Sequence, residues 1–303
     1  MQYITFNDLA CRNFQYEEGK TYKLLKKKDM IIGKLYNITE FEINCYENPL
    51  DCLTFSPLID GDCNINQICE VKPLGKVETR KALHGNVSVA NKIKIGAKLD
   101  LMHFFKNGFK KNTKNKNIIV TNKNSTTRAI KKEWNTMVFN GEENEIATAG
   151  NVNRIVLNGW SSQVSTSGRS TRIIINSNCN AVATSGLFTQ IAISGQQNQI
   201  VASGDCSLIA NNGKSNKIAT TGSYNRVATT DKNSVIANIG KDGKAKGVKG
   251  TWITLAEYKY DDKIYTSVPV CVKTFRVDGK KIKENTFYML QNKKLVEVKN
   301  EEE

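Results

Sequence analysis

Histidine is scarce in this chain: among 303 residues only His84 and His103 occur. Neither lies in a spacing that predicts a metal site or a nucleophile–base pair, so both are interpreted as structural or surface residues. The sequence also lacks a phosphate-binding glycine loop, a nucleophile elbow and paired carboxylates at a useful spacing. These absences predict a protein with no catalytic residue, no cofactor and no metal site.

Long apolar segments are lacking as well. No hydrophobic run approaches the roughly 18 residues that a membrane span needs. The first residues, MQYITFNDLA, show no charged segment followed by an apolar one, as a signal peptide would. A cytoplasmic protein without a membrane partner is therefore expected. The eight cysteines lack the close spacing of usual zinc pairs and are interpreted as buried free thiols.

A strict nine-residue period dominates residues 141–239, which divide into eleven nonapeptides without an insertion. Position 1 is glycine in nine of them, position 4 is always Asn, Ser or Thr, and position 6 is always Ile or Val. Residues 114–122 and 132–140 also fit, whereas 123–131 fit poorly. A short fixed period of this kind is typical of a solenoid.

The residue types predict the shape of each nonapeptide. Glycine at position 1 is expected to supply the positive φ of a tight turn. The polar side chain at position 4 can bond to turn backbone groups. Positions 5 to 9 then form a strand whose positions 4, 6 and 8 point inward and whose positions 5, 7 and 9 point outward.

Alternate nonapeptides differ at position 8, which is large and apolar in one set (Phe139, Leu157) and threonine in the other (Thr148, Thr166). The coil is therefore predicted to be eighteen residues long, with two strands and two turns. Residues 114–240 are predicted to form a mainly β, two-sheet β-roll or β-solenoid of about seven coils. At about 4.8 Å per coil it would be roughly 34 Å long.

The flanking segments are assigned to two smaller domains. Residues 1–113 are expected to be an α+β domain with strands near 1–6, 20–27, 34–43, 69–78 and 91–101, and a short helix at 102–109. Residues 241–303 are expected to be a β cap. That cap would begin with a linker at 241–250 and contain hairpins around 261–262 and 291–293.

Positive charge is concentrated just before the regular repeats. The formal net charge is +15, and residues 106–132 contain nine bases and no acid. This segment is either a solvated lysine-rich connector or a patch for nucleic acid or an acidic partner. The nine bases are Lys106, Lys110, Lys111, Lys114, Lys116, Lys123, Arg128, Lys131 and Lys132.

Two outward columns of the roll extend this prediction. Arg154 and Arg172 occupy position 5 in alternate repeats, where stacked bases could meet phosphates or simply keep the sheet hydrated. Position 7 of the same set carries Val138, Val156 and Ile174. Because β-branched residues in a row are unusual on a solvated face, another domain or another chain is expected to cover them.

Four fragments carry a resemblance: CRNFQYEEGKTY at 11–22, CYENPLDCLTF at 45–55, KAKGVKGTWITLAEY at 244–258 and FRVDGKKIKENTFYML at 275–290. They resemble an uncharacterised family of phage, prophage and bacterial polypeptides, in which an amino-terminal module precedes Gly/Ala/Ser/Thr-rich nonapeptides. The resemblance implies a phage or prophage origin and no activity. That family often has Gly-Phe-His before Cys-Glu-Asn-Pro, whereas this chain has Glu42-Ile43-Asn44 and then Tyr46.

Three hypotheses remain open. The leading one is a non-enzymatic binding protein in the host cytoplasm that occupies nucleic acid or a nucleoprotein through its basic surface, for example as an anti-CRISPR-like inhibitor of a host defence complex. The second is a structural, homo-oligomeric solenoid that serves as a scaffold or fibre component. The third is a small enzyme within residues 1–113, which would need a convergent polar pocket there.

Overall fold

The computed structural model describes residues 2–6, 10–11, 14–15, 17–23, 43–46, 58–82, 85–99 and 118–298. Within these ranges all regular secondary structure is strand. The helix expected at 102–109 lies outside the described residues. The chain divides into an amino-terminal unit (residues 1–60 and 65–114) and a solenoid unit (residues 61–64 and 115–303).

The amino-terminal unit contains a five-stranded antiparallel sheet in the order β4-β7-β5-β1-β6, in which β6 and β7 also pair as a long hairpin, and a separate β2–β3 pair. The strands expected near 69–78 and 91–101 are confirmed and are longer than predicted. The strand expected at 1–6 is confirmed as β1. Of the strands expected at 20–27 and 34–43, only residues 20–23 and 43 are described, and 21–23 and 43 are strand. The strands are β1 (Gln2–Phe6), β2 (Ala10–Cys11), β3 (Phe14–Gln15), β4 (Thr21–Lys23), β5 (Ile43–Tyr46), β6 (Gln67–Ala82) and β7 (Gly85–Leu99).

The solenoid unit consists of two facing sheets. One sheet has ten strands: β8 (Ile118–Thr121), β10 (Thr136–Phe139), β12 (Arg154–Leu157), β14 (Arg172–Ile175), β16 (Gln190–Ile193), β18 (Leu208–Asn211), β20 (Arg226–Thr229), β22 (Lys244–Lys246), β25 (Tyr288–Gln291) and β26 (Lys294–Glu297). The other strands form a nine-stranded sheet of β9 (Thr127–Ile130), β11 (Glu145–Thr148), β13 (Gln163–Thr166), β15 (Ala181–Thr184), β17 (Gln199–Ala202), β19 (Lys217–Thr220), β21 (Val235–Asn238), β23 (Trp252–Asp261) and β24 (Thr266–Arg276).

The eighteen-residue coil is confirmed by the register of the parallel strands. Thr136 pairs with Arg154, and every later coil keeps the same spacing as far as the pair Arg226 and Lys244. Strands β8 to β23 make eight coils rather than the seven predicted. The prediction of a linker at 241–250 is wrong, because β22 continues the parallel stack there.

The inward positions pack as the period predicts. Positions 6 and 8 of successive coils are buried in one continuous core that runs from Met137 and Phe139 to Ile253 and Leu255. In the nine-stranded sheet the threonines of position 8 are buried too, and the hydroxyl of Thr148 donates to that of Thr166 at 2.9 Å. Burying these hydroxyls is tolerated because they bond to each other along the stack.

Position 4 forms a buried polar ladder that joins each coil to the next. The backbone N–H of one position-4 residue donates to the side-chain oxygen of the position-4 residue eighteen residues later, as from Ser162 to Asn180 at 2.8 Å. The same side chains also donate to the position-1 carbonyl of their own turn, as from Asn153 to Gly150 at 2.7 Å. The predicted role of position 4 in bonding turn backbone groups is confirmed.

The predicted reason for glycine at position 1 is wrong. The residues with positive φ in the described solenoid turns are at position 3 and include Val152, Phe188 and Tyr224, with φ of 56°, 55° and 60°. Glycine at position 1 is needed for another reason: a Cβ at Gly195 would lie 1.7 Å from the carbonyl oxygen of Ser177, one coil earlier. The glycines therefore permit close stacking of coil on coil.

The carboxy-terminal hairpins are confirmed. Strand β23 pairs with β24 around the turn between Asp261 and Thr266, and β25 pairs with β26 around the turn between Gln291 and Lys294. Phe275 and Leu295 pack against the solenoid core. These antiparallel strands cover the edges that the last parallel coil would otherwise leave unpaired.

Candidate partner-binding surfaces

The outward faces of the two solenoid sheets differ in exposure. In the ten-stranded sheet, Val138, Val156 and Ile174 point away from the solenoid core yet are 0%, 0% and 1% exposed. In the nine-stranded sheet, the outward residues at the same coil positions are exposed. The first face is therefore shielded from solvent and the second is open. That another domain or another chain covers the first face stays a prediction.

Arg154 and Arg172 lie on the shielded face. Arg154 is buried, and its Nη1 donates to the hydroxyl of Thr136 at 3.4 Å. Arg172 is half-buried, and this burial lowers the pKa of its guanidinium below the ordinary value. Because burial limits access to both side chains, they are not placed to extend an open basic patch.

The basic residues predicted to bind a partner fall into two groups. Lys106, Lys110, Lys111, Lys114 and Lys116 lie outside the described residues. The other four are exposed and belong to one stretch around β9, which forms an end of the described nine-stranded sheet. This group is called the basic end coil and consists of Lys123, Arg128, Lys131 and Lys132.

Arg128 explains why this coil fitted the repeat poorly. It pairs in register with Ile146, so it occupies the column that is Ile or Val in every later coil, yet it is exposed. A guanidinium cannot be buried in an apolar core without a large desolvation cost. The apolar column therefore ends between Ile146 and Arg128, and a cation lies at that end of it.

The open face is the outward surface of β9, β11, β13, β15, β17, β19 and β21. It has three columns: the first residue of each strand, the third residue, and the residue that follows the strand. The middle column contains only Ala, Ser and Val. Shallow grooves of about 520 and 420 Å³ lie on either side of it. The result is a shallow surface with short side chains along its middle.

The sequence prediction missed this open face, although a signal for it existed. Between 145 and 237 the middle column reads Ala147, Ser165, Ala183, Val201, Ala219 and Ala237, whereas the corresponding column of the other sheet begins with Val156 and Ile174. Small residues at outward positions predict a face with little apolar area to bury. The contrast is confined to the first coils, because the same column of the shielded sheet continues with Ala192, Ala210 and Ala228, which are also buried.

Two further kinds of candidate site are a metal cluster and a pocket in the amino-terminal unit. Among them no group of three or more His, Cys, Asp or Glu side chains is placed to hold a metal ion. In the amino-terminal unit a groove of about 540 Å³ lies between β6 and β7, and its charged lining residues are Glu70, Lys72 and Lys94. The hypothesis of an enzyme in residues 1–113 stays a prediction.

The cysteines of the amino-terminal sheet are poor nucleophiles. Cys45 and Cys69 belong to its apolar core, and burial raises the pKa of each thiol to about 12. A thiol with such a pKa is almost wholly protonated at pH 8, and the thiolate is the reactive form. Cys179, in contrast, is exposed at a solenoid turn, so the interpretation as a buried thiol is wrong for this residue.

We expect iodoacetamide at pH 8 to label Cys179 quickly in the folded protein and to leave Cys45 and Cys69 unlabelled. Peptide mass spectrometry after short labelling checks this result. In 6 M guanidinium chloride all three thiols should react, which confirms that each peptide is detectable. Fast labelling of Cys45 or Cys69 in the folded protein would contradict the buried placement.

Comparison with known proteins adds one match. A family model described as a domain of unknown function (DUF7666) matches residues 4–107. No curated protein and no solved structure matches the chain. The match covers the amino-terminal part of the chain and brings no activity with it. Among the described residues, no helix has the length and apolar character to cross a membrane.

Proposed function

We propose that this chain is a non-enzymatic binding protein that contacts nucleic acid or a nucleoprotein complex through its basic end coil. The observation that carries the proposal is the exposure of all four bases of that coil, within a stretch from 118 to 132 that contains no acid. Glu133 follows this stretch, and Glu143 and Glu145 of the next coil accept hydrogen bonds from Ser125 and Thr127 within it. The four exposed bases outnumber these acids, and exposed bases attract phosphates and release counterions when they bind them. The five bases at 106–116 precede this stretch directly in the sequence and would add to the same charge.

The cellular setting of this proposal is the cytoplasm of a host cell. The sequence resemblance to phage and prophage polypeptides supports a phage origin. A phage-derived basic protein that occupies a nucleoprotein can act as an inhibitor of a host defence complex, in the manner of an anti-CRISPR protein. That step rests on the resemblance and on charge rather than on a motif.

Reversing the charge of the basic end coil is expected to abolish nucleic-acid binding. The variant carries Lys123→Glu, Arg128→Glu, Lys131→Glu and Lys132→Glu, so four attractive interactions become repulsive. We expect affinity for a 30-nucleotide single-stranded or duplex oligonucleotide to fall about 100-fold or more at 0.1 M salt. Fluorescence anisotropy over a salt series measures both the affinity and its salt slope, whose magnitude should fall by about one for each phosphate that the variant no longer binds.

The control variant changes the same charge elsewhere on the solenoid unit. It carries Lys214→Glu, Lys232→Glu, Lys259→Glu and Lys263→Glu, and all four of these lysines are exposed. We expect this variant to keep most of the affinity and most of the salt slope. Equal losses in the two variants, or a wild-type protein that binds neither oligonucleotide at 10 μM, would overturn the proposed site.

Purification from the native host without nuclease identifies the partner directly. Absorbance at 260 and 280 nm followed by mass spectrometry shows whether nucleic acid or a nucleoprotein accompanies the wild-type chain. Loss of that material from the charge-reversed variant, but not from the control variant, is the expected result. A clean wild-type protein whose elution does not change with salt would instead favour the second candidate.

The second candidate is a structural scaffold, which the open face favours. Eight stacked coils with a continuous apolar core form a rigid unit. Its open face spans seven strands, and the side chains along the middle of that face are short. A solenoid of this kind can hold copies or partners at a fixed spacing.

A further inference from the structure

The charges in the first column of the open face are arranged symmetrically about its central strand, β15. In the first column, Glu145 lies two strands to one side of Ala181 and Lys217 lies two strands to the other side. Gln163 and Gln199 occupy the positions in between. The order along the stack is therefore Glu, Gln, Ala, Gln, Lys. A rotation of 180° that reverses the order of the strands places Glu opposite Lys and Gln opposite Gln.

Glu145 and Lys217 are too far apart to form an ion pair within one chain. Four strand spacings of about 4.8 Å separate their strands, which puts them about 19 Å apart along the stack. That distance is about twice the Debye length in ordinary salt, so their attraction within one copy is largely screened. Glu145 accepts a hydroxyl hydrogen bond from Thr127 at 3.4 Å, and neither charge is in an ion pair with another described residue.

We propose that the open face binds a second copy of this chain, face to face, about a two-fold axis that runs parallel to the strands through β15. This axis keeps each column opposite the same column and reverses the order of the strands. Glu145 of one copy then lies opposite Lys217 of the other, and the symmetric pair repeats this contact. The interface is isologous, as in most homodimers.

The middle column and the remaining residues of the first column fit the same arrangement, whereas the third column places Lys131 opposite Ile239 at the rim. In the middle column, Ala183 meets its own copy on the axis, and the exposed Val201 lies opposite the smaller Ser165. In the first column, the amides of Gln163 and Gln199 lie opposite each other, and each can donate and accept a hydrogen bond. Because the side chains of the middle column are short, the two sheets can approach closely enough for Glu145 and Lys217 of opposite copies to contact each other.

The alternative two-fold axis, along the stack, gives no such match. It would place the first column of one copy opposite the last column of the other without reversing the strand order. Glu145 would then lie opposite Ala149, and Lys217 opposite Thr221. Charge complementarity therefore selects the axis parallel to the strands.

The open face is large enough for a specific dimer. Seven strands at about 4.8 Å by five residues at about 3.3 Å give about 550 Å² for each copy. The pair would then bury about 1,100 Å² in total, which is above the roughly 1,000 Å² expected of a biological interface and at the lower end of the stable ones. A reversible dimer is the expected result. Such a dimer deepens the scaffold candidate, on which it rests. Lys131 of the basic end coil lies at the rim of the open face, but the pairing of Glu145 with Lys217 uses no residue of that coil.

Charge swapping tests the dimer. Sedimentation velocity from 1 to 200 μM at 0.05 M salt should show the wild-type full chain shifting from its 33.8 kDa monomer to a dimer. Lys217→Glu alone, or Glu145→Lys alone, creates two like-charge pairs across the axis and should weaken dimerisation at least about tenfold. The double variant, with both changes, restores opposite charges and should recover most of the affinity.

The matched control is Lys214→Glu, which makes the same charge change at an exposed turn of the same coil, outside the open face. It should dimerise like the wild type. A monomer at every concentration, a dimer that Lys217→Glu leaves unchanged, or a double variant no better than the single ones would overturn the proposal. Because the readout is mass rather than oligonucleotide binding, failure here is distinct from failure of the basic end coil.

Discussion

Gly195→Ala is expected to unfold at a much lower denaturant concentration than the wild type, with a loss of about 4 kcal/mol or more. A Cβ at Gly195 would lie 1.7 Å from the carbonyl oxygen of Ser177 and 2.4 Å from its carbonyl carbon. Ordinary carbon–oxygen contacts are about 3.3–3.6 Å. Both neighbouring atoms are backbone, so no side-chain rotation can relieve the clash. The two coils must separate, and their shared hydrogen bonds must lengthen.

The natural control lies one coil earlier. Ser177 occupies the same turn position as Gly195, and its hydroxyl donates to the carbonyl of Gly159 at 2.7 Å. Ser177→Ala keeps a Cβ that the stack already contains and removes this hydrogen bond, so a loss of about 1 kcal/mol is expected. Urea unfolding followed by circular dichroism compares the two variants. Equal midpoints for Gly195→Ala and Ser177→Ala would show that close backbone approach is not why glycine is required.

Asn180→Ala should give the second-largest effect, a loss of about 2–4 kcal/mol. The Asn180 side chain is buried, accepts the backbone N–H of Ser162 at 2.8 Å and donates to the hydroxyl of Ser177 at 3.0 Å. Alanine leaves the N–H of Ser162 buried without this acceptor, and an unsatisfied buried group costs about 1–3 kcal/mol. The lost side-chain volume adds to this because a cavity forms between coils.

Asn180→Ser separates the hydrogen bond from the rest of the side chain. Serine already occurs in this column, where the hydroxyl of Ser162 accepts the backbone N–H of Asn144 at 3.2 Å. We expect Asn180→Ser to lose less than half of what Asn180→Ala loses. Amide hydrogen exchange at Ser162, measured by NMR, should become faster in the alanine variant and change little in the serine variant. Equal exchange rates in the two would mean that the ladder does not depend on this acceptor.

Most of the solenoid could be predicted directly from the amino-acid sequence. The eighteen-residue coil, the inward Ile/Val column ending at Ile236 and the terminal hairpins follow from local patterns, because each strand repeats the same alternation and each turn repeats the same residue types. The eighth coil escaped prediction because residues 241–250 do not keep the nonapeptide pattern. Strand β22 nevertheless pairs in register, since backbone hydrogen bonds do not require a particular side chain.

The candidate surfaces were harder to predict. The sequence identified a basic segment, but four of its exposed bases lie around β9, whereas Arg154 and Arg172 lie on the shielded face of the other sheet. Charge counted along the chain does not show which sheet face a residue occupies or whether that face is covered. Both depend on how segments far apart in the sequence pack together.

The sequence by itself determined the repeat, the inward columns and the turn chemistry, because a period of nine repeats one local environment many times. Only the tertiary structure decided why position 1 is glycine, which sheet face is open and how Glu145 and Lys217 are placed about Ala181. These features arise between residues 18 to 72 positions apart. They depend on the distance between stacked coils and on what covers each sheet. The sequence of a single nonapeptide specifies neither of these.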